Sequence, residues 1–175
     1  EDGIRDVERS RGLGDVYKRQ QLVRHRMASY TQQSQRYVKF KKNELEFITP
    51  KTIEKNKSLD EEYKSVMEKI SEFYEKLLKK DIPAEDARYV IPNAATTNLT
   101  VTMNARELLH FFGLRLCERS QWEIRELAKM MLDEVRKVAP ILFEKAGPRC
   151  EELGYCPEGE LSCGRYLSKE KTIKQ

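Results

Sequence analysis

A chain of 175 residues is about one ordinary domain long, enough for a single hydrophobic core but not for two independent ones. Hydrophobic residues make up 39% and charged residues 35%, and no stretch approaches the roughly 20 apolar residues of a membrane-spanning helix, so the sequence predicts a soluble protein. The net charge of +4 falls short of the dense Lys/Arg stripe of a dedicated nucleic-acid binder but suits phosphorylated small ligands.

The cysteines favour a reducing compartment. No apolar stretch near the start of the sequence has the length of a secretory signal, and a chain of this size folds without disulfide staples, so we predict a cytoplasmic protein. Cys150, Cys156 and Cys163 crowd the last part of the chain without forming C-x2-C pairs. Ordinary packing is therefore favoured over a zinc site, and we predict no metal.

The first predicted segment is a leader. Residues 1–20 are charged, are interrupted by glycines and lack apolar periodicity, which predicts a disordered or foreign segment. The character changes at Gln21, where apolar residues lead into a basic triplet. Tyr37, Val38 and Phe40 then interrupt polar residues in a way that favours a strand, and residues 51–57 form a polar connector.

The clearest predicted helix covers residues 59–78, because apolar side chains recur there at helical spacing. Ser58 and Glu61 predict a capping box at its start. Pro83 opens a short second helix that runs through Arg88 and ends before Pro92.

A strand and two more helices follow. Residues 96–103 are rich in Thr and Val and predict a strand, which leads into a helix capped by Asn104, with Glu107 at the capping-box position and Gly113 as its terminator. A helix N-terminus presents unpaired N–H groups, so this junction favours an anionic or electron-rich ligand.

The last predicted helix starts at Ser120, which forms a capping box with Glu123. It bends or ends at Pro140. We expect Trp122 to lie in the core rather than to serve as a cofactor platform. Long helices mixed with strands in no βαβ order predict an α+β domain.

Chemistry-bearing side chains are concentrated between residues 21 and 36. Guanidinium, imidazole, amide and hydroxyl groups together bind phosphate well, since arginine grips phosphate oxygens bidentately. A solvated basic turn explains the same composition equally well, and the residues alone leave both open. The members are Gln21, Arg24, His25, Arg26, Gln32, Ser34, Gln35 and Arg36.

Longer motifs decide between these alternatives. The segment reads RHR-MASYTQQ-S, that is R-H-R, seven residues and then S, and it is followed by PNAATTNLTVTMNARELLHFFGLRLCERSQWEIRELA. Over residues 21–164 the chain resembles the flavin-dependent thymidylate synthases. The resemblance implies an α+β fold with an antiparallel sheet packed against long helices. It also implies an N-terminal portion that this chain lacks, and it leaves residues 165–175 as a polar tail.

The resemblance implies an activity as well. It is the reductive methylation of dUMP to dTMP, with methylenetetrahydrofolate as carbon donor and hydride from FAD that NADPH has reduced. A homotetramer with shared active sites is implied, with no nucleic-acid or membrane partner. Two alternatives stay open: an inactive truncated homologue, and a small basic module that binds nucleic acid through residues 24–42.

The resemblance also implies individual roles. Arg115 is the catalytic residue, favouring ionisation at uracil N3, and Arg36 and Arg88 hold the phosphate. From the residues alone, His110 would be a buried, hydrogen-bonded histidine, and Arg88 and Arg115 would be surface charges paired with Glu85 or Glu118. The dUMP set is Gln21, Arg24, Gln32, Ser34, Gln35, Arg36, Arg88 and Arg115, and the FAD set is Arg24, His25, Arg26, Gln32, Asn104, Arg106 and His110.

Overall fold

The computed structural model describes residues 13–14, 20–34 and 45–172. These residues divide into two compact units. The helical unit contains residues 21–29 and 101–172, and the mixed unit contains residues 13–14, 20, 30–34 and 45–100. The strand predicted at residues 37–40, and the two predicted ligands Gln35 and Arg36, lie outside the described residues.

The mixed unit combines short strands with one long helix. Strand β1 (Leu13–Gly14) pairs antiparallel with β3 (Thr96–Thr97), with Leu13 opposite Thr97. Leu13 and Gly14, which fall within the predicted leader, therefore belong to a sheet. The helices of this unit are α1 (Lys51–Glu54), α2 (Lys57–Lys79) and α3 (Ala84–Ala87), and a 3-10 turn at Arg88–Val90 follows α3.

Helix α2 confirms the predicted amphipathic helix but begins earlier. The Asn56 side chain accepts a hydrogen bond from the Leu59 N–H at 3.4 Å, so Asn56 is the N-cap and the capping box predicted at Ser58 is wrong. Asn56 takes an extended backbone that lets its short side chain reach the first turn. The polar connector predicted at residues 51–57 is also wrong at its start, since α1 occupies Lys51–Glu54.

The strand predicted at residues 96–103 is divided in two. Asn98 separates β3 from β4 (Leu99–Met103), and β4 pairs with β2 (Ala28–Gln32) in a second two-stranded sheet. The Asn98 carbonyl accepts from the Gln33 N–H at 2.9 Å, and its side-chain amide donates to the Gln33 side chain at 2.6 Å. The predicted α+β class is confirmed, with the strands distributed over two small sheets.

The helical unit is built on α4 (Ala105–Arg115) and α5 (Trp122–Val138). Shorter helices follow at α6 (Pro140–Phe143), α7 (Arg149–Leu153) and α8 (Lys169–Thr172), with a 3-10 turn at Gly159–Leu161 between the last two. Apolar residues of α5 recur at helical spacing and are buried, which makes that helix one wall of the core. Its buried apolar side chains are Ile124, Leu127, Ala128, Met131, Leu132 and Val135.

The ends of α4 and α5 correct two predictions. Asn104 caps α4 as predicted, but the helix continues through Gly113 to Arg115. A Cβ on Gly113 would lie 3.2 Å from the Arg149 side-chain stem, so this glycine serves close packing rather than termination.

At the start of α5 the cap is Gln121, whose side-chain oxygen accepts from the N–H groups of Glu123 and Ile124. The predicted cap Ser120 instead donates to the Leu114 carbonyl. Trp122 is half-buried rather than part of the core. The helix α5 ends just before Pro140, as predicted, and Pro140 also opens α6. Across the described ranges, every helix is too short or too polar to cross a membrane.

Candidate active site

The predicted R-H-R triplet lies in a tight turn that separates its three side chains. Leu22 is buried, and its carbonyl accepts the His25 N–H at 3.1 Å. This turn directs His25 into the helical unit, where it is 3% exposed. Arg24 and Arg26 are exposed. The triplet therefore places one imidazole inside and two guanidiniums in solvent.

Helix α4 presents a matching row of side chains to this imidazole. Glu107, Phe111 and Arg115 are four residues apart, so they lie on one side of the helix over about 12 Å of its axis. The His25 ring packs edge-on against Phe111, with a centroid distance of 5.0 Å. One ring nitrogen therefore faces the residue one turn before Phe111, and the other faces the residue one turn after it.

Both ring nitrogens of His25 are hydrogen-bonded. Nδ1 lies 2.9 Å from Glu107 Oε1, and Arg115 Nε donates to Nε2 at 3.0 Å. Arginine has donors only, so Nε2 must carry a lone pair and the proton of the neutral ring must be on Nδ1. The imidazole thus donates to Glu107 and accepts from Arg115.

Gln21 fixes the other end of the Arg115 guanidinium. Its side-chain oxygen accepts from Nη1 at 3.3 Å, and its carbonyl accepts from Nη2 at 2.9 Å. Together with the bond to His25, this leaves the guanidinium plane little freedom. The surface pairing with Glu118 that the residues alone suggested for Arg115 is wrong, because Glu118 pairs with Arg125 at 2.8 Å.

The surroundings of His25 favour its neutral form. Burial lowers its pKa below 6.5, and the nearby cationic Arg115 and the imidazole of His110 lower it further. The hydrogen bond to Glu107 and the carboxylate charge act in the opposite direction and only partly offset burial. The neutral state agrees with the hydrogen-bond directions deduced above.

The lowered pKa of His25 predicts a pH-dependent stability. The unfolded histidine binds a proton near pH 6.5, whereas the folded one does so only at lower pH. The contribution is therefore full above pH 6.5 and is lost as the pH falls toward the folded pKa, at no more than about 1.4 kcal/mol per pH unit. Urea unfolding between pH 7.5 and 5 should show a flatter profile for His25→Gln, and equal slopes would contradict the assignment.

Three further predicted ligands lie at the start of α4. Asn104, Arg106 and His110 are exposed, so the alternative that His110 is a buried histidine is wrong. The Asn104 side-chain oxygen accepts the Glu107 N–H at 2.9 Å and caps the helix. The His110 ring lies 5.5 Å from the His25 ring. This end of the helix thus combines an exposed guanidinium with the positive end of the helix dipole.

The remaining predicted ligands belong to the mixed unit or lie outside the described residues. Gln32 donates through its side chain to the Thr97 hydroxyl at 3.3 Å. Arg88 Nε donates to the Glu85 carbonyl at 3.1 Å, and its guanidinium lies 5.7 Å from the Tyr89 ring centre. The pairing suggested for Arg88 therefore uses the main chain of Glu85 and not its carboxylate. Ser34 is half-buried in the same unit.

Glu107 is the site residue that sequence reasoning missed. Its capping-box position explained it as a helix-start residue, yet its carboxylate contacts His25 instead of the helix terminus. It is only 8% exposed. The signal in the sequence was the spacing of Glu107, Phe111 and Arg115, each four residues after the one before. This spacing places a carboxylate on the same side of the helix as the predicted catalytic arginine.

Two clusters of the helical unit contain side chains that can bind metals. Ligand atoms of His25, Glu107 and His110 lie within 4.8 Å of one another, but Arg115 already donates to one His25 nitrogen and the other faces Glu107. An ion there would have to displace one of these two partners.

The second cluster is a cleft of about 40 Å³ lined by Cys117, Cys150, Cys156 and Cys163. These thiols do not converge within metal-binding distance among the described residues. Burial raises the pKa of Cys150, which lowers its thiolate fraction and hence its affinity for metals and its reactivity.

Comparison with known proteins assigns the chain to a family. The sequence model of the thymidylate synthase complementing protein family matches residues 16–141. A flavin-dependent thymidylate synthase of Geobacter sulfurreducens is 49% identical over 155 residues, which are 89% of this chain and 66% of the relative. Another from Pyrococcus abyssi is 53% identical over 147 residues, covering 81% of this chain and 60% of the relative.

A solved structure agrees with these relatives. The chain resembles a UMP/dUMP methylase of Streptomyces cacaoi, crystallised with 5-Br dUMP, with a TM-score of 0.66 and 25% identity over 75% of this chain and 67% of that one. The chain belongs to the thymidylate synthase complementing protein family, and the resemblance to flavin-dependent thymidylate synthases is confirmed. The matched part of the chain spans 66% of the length of the Geobacter sulfurreducens relative and 60% of the Pyrococcus abyssi relative.

Proposed function

We propose that this chain catalyses the reductive methylation of dUMP to dTMP as a flavin-dependent thymidylate synthase. The observation that carries the proposal is the Arg115 guanidinium, held by Gln21 and His25 beside the exposed cationic residues of the R-H-R turn. The curated relatives bear the name of this enzyme, and the structural neighbour is a dUMP methylase. Hence we propose dUMP as the substrate, methylenetetrahydrofolate as the carbon donor and NADPH as the reductant.

The donor set of the helical unit fits a flavin. Arg24 and Arg26 expose their guanidiniums, and Arg106 and His110 extend from the first turns of α4. Cationic donors of this kind stabilise the electron-rich pyrimidine edge of a reduced flavin. We propose that FAD is held by Arg24, His25, Arg26, Gln32, Asn104, Arg106 and His110. The chemistry that the bound flavin supplies is hydride transfer.

The protein's own part in the reaction is orientation and electrostatics. We propose that Arg115 faces the uracil and favours ionisation at N3, which makes C5 more nucleophilic. A guanidinium fixed in advance needs no reorganisation as charge develops on the ring. The resemblance adds Gln21, Arg24, Gln32, Ser34, Gln35 and Arg36 as dUMP ligands, with Arg36 and Arg88 on the phosphate.

The same resemblance supports a homotetramer with shared active sites and a cytoplasmic enzyme. We propose both, with size-exclusion chromatography coupled to light scattering as the test of assembly. The alternative of a nucleic-acid-binding module has no support from the curated relatives described above, which bear the enzyme's name. An inactive homologue would retain the fold and lose turnover, so activity has to be measured directly.

One titration tests the proposed function. FAD, dUMP and NADPH are added in turn to the purified full chain, and flavin absorbance and dTMP formation are followed. We expect FAD uptake, dUMP binding, and bleaching on addition of NADPH. Arg106→Ala should weaken FAD binding about tenfold or more, since it removes a charge-assisted hydrogen bond.

The matched control is Lys129→Ala, which removes an exposed cation from α5 of the same unit and should leave FAD affinity unchanged. Absence of FAD uptake by the unmodified chain would overturn the proposed function. Binding of nucleic acid that falls steeply with salt, without binding of dUMP, would favour the alternative instead.

A further inference from the structure

Glu107 occupies a position that the proposed chemistry does not by itself require. It is a carboxylate in the first turn of α4, 8% exposed, and its oxygen lies 2.9 Å from His25 Nδ1. Burying a carboxylate is costly unless charged partners or hydrogen bonds compensate. The Asn104 side chain accepts the Glu107 N–H, which is one half of a capping box. The other half would take the Glu107 carboxylate back to the Asn104 N–H, but that carboxylate pairs with His25 instead.

The hydrogen bonds around His25 have a fixed direction. Arg115 only donates, so His25 Nε2 must accept, and the ring proton must therefore be on Nδ1. That proton is buried and points at Glu107. Without an acceptor next to Nδ1, the ring proton would move to Nε2. Two donors, the Nε2–H of His25 and the Nε–H of Arg115, would then point at each other. A carboxylate beside Nδ1 is what makes the present tautomer stable.

We propose that Glu107 is a positioning residue that fixes the tautomer of His25 and thereby the orientation of the Arg115 guanidinium. Within the described part of the chain, the charged and titratable groups that act on His25 include Glu107, His110 and Arg115, all on α4. The row Glu107, His25, Arg115 is thus a hydrogen-bonded chain that ends at the group proposed to contact the uracil. Only this last step rests on the proposed function.

The test uses the full chain without ligands. The chain has two histidines, so long-range proton–nitrogen NMR spectra resolve both rings, and His110→Gln assigns them. In the unmodified protein we expect His25 protonated at Nδ1 and unprotonated at Nε2, with a slowly exchanging Arg115 Nε–H signal. Observation of a proton on Nε2 at pH 7.5 would overturn the inference.

Two substitutions then separate positioning from simple packing. Glu107→Met keeps the volume but removes the acceptor, and we expect the Nε2-protonated tautomer, loss of the Arg115 Nε–H signal, and dUMP binding about tenfold weaker. Glu107→Gln keeps an acceptor oxygen and should restore the tautomer and the Arg115 signal. If Glu107→Met leaves both signals unchanged, the inference fails. If that variant does not fold, the spectra of Glu107→Gln decide, since retention of the Nδ1 proton is required there.

The matched control is Glu123→Met. Glu123 is a second buried glutamate among the described residues of the helical unit, 4% exposed, and its carboxylate accepts from the Gln121 side chain at 3.2 Å. We expect the His25 and Arg115 signals to be unchanged by this substitution. A shift equal to that of Glu107→Met would mean that loss of any buried carboxylate disturbs the site, and would overturn the specific role. Absence of dUMP binding by the unmodified chain would overturn the proposed function while leaving the tautomer result intact.

Discussion

Phe143→Ala should lower the free energy of unfolding by about 3 to 5 kcal/mol, the usual range for loss of a fully buried phenylalanine. Phe143 is 0% exposed, and its ring packs edge-to-face against Phe112 at 6.0 Å between centroids. A helix of four residues such as α6 has no stability of its own, so this ring and the bond from Arg136 to the Phe143 carbonyl hold it in place. Urea denaturation of the full chain measures the effect.

Ile141→Ala is the control for this prediction. Ile141 lies two residues earlier in the same short helix and is 90% exposed, so its truncation should change stability by less than about 0.5 kcal/mol. Equal effects of the two substitutions would show that α6 does not pack against α4 as described. The comparison needs neither cofactor nor substrate and therefore tests the fold separately from the function.

Arg115→Ala should reduce dUMP binding and turnover by about a hundredfold or more and leave FAD binding near normal. Each charge-assisted hydrogen bond lost from the proposed contact with the uracil contributes about 1.5 to 3 kcal/mol. The substitution also takes the donor away from the buried Nε2 of His25. Steady-state assays of dTMP formation and calorimetric titration with dUMP measure the two losses.

Arg119→Ala provides the matched control. Arg119 is an exposed arginine shortly after the end of α4, and it donates to the Leu161 carbonyl at 2.8 Å. We expect its removal to leave dUMP affinity and turnover within about twofold, as is typical of exposed charges. Unchanged turnover in Arg115→Ala would remove that residue from the proposed mechanism. A parallel loss of FAD binding would point to collapse of the turn that carries His25.

Local patterns were sufficient for much of the fold. Periodic apolar residues predicted α2, because burial of one face of a helix leaves a signal every three to four residues. Capping signals predicted α4 and α5. The caps were less accurate. Asn56 and Gln121 replace Ser58 and Ser120, since several polar side chains near a helix start are all able to cap it and small differences in backbone geometry select one.

The candidate site was predicted in composition but not in arrangement. The motif placed Gln21, His25 and Arg115 among the site residues, and the structure brings these three together in the helical unit. It did not predict that Arg24 and Arg26 point outward while His25 points inward. Nor did it predict a site role for Glu107, because a capping-box position already explained that residue. The opposite directions of these side chains follow from a turn in which Leu22 is buried and its carbonyl accepts the His25 N–H. Residue types alone do not reveal the geometry of such a turn.

The amino-acid sequence was sufficient to predict the family, the α+β class and the set of side chains available for binding. R-H-R, seven residues and then serine, followed by N-A-R-E-L, is a specific pattern because it fixes residue types at fixed separations along the chain. The sequence does not show that Glu107, His25 and Arg115 form one hydrogen-bonded row, which the folded chain reveals. His25 is 82 residues from Glu107 and 90 from Arg115. Contacts over such separations arise from packing of the core, and they leave no periodic trace in the sequence.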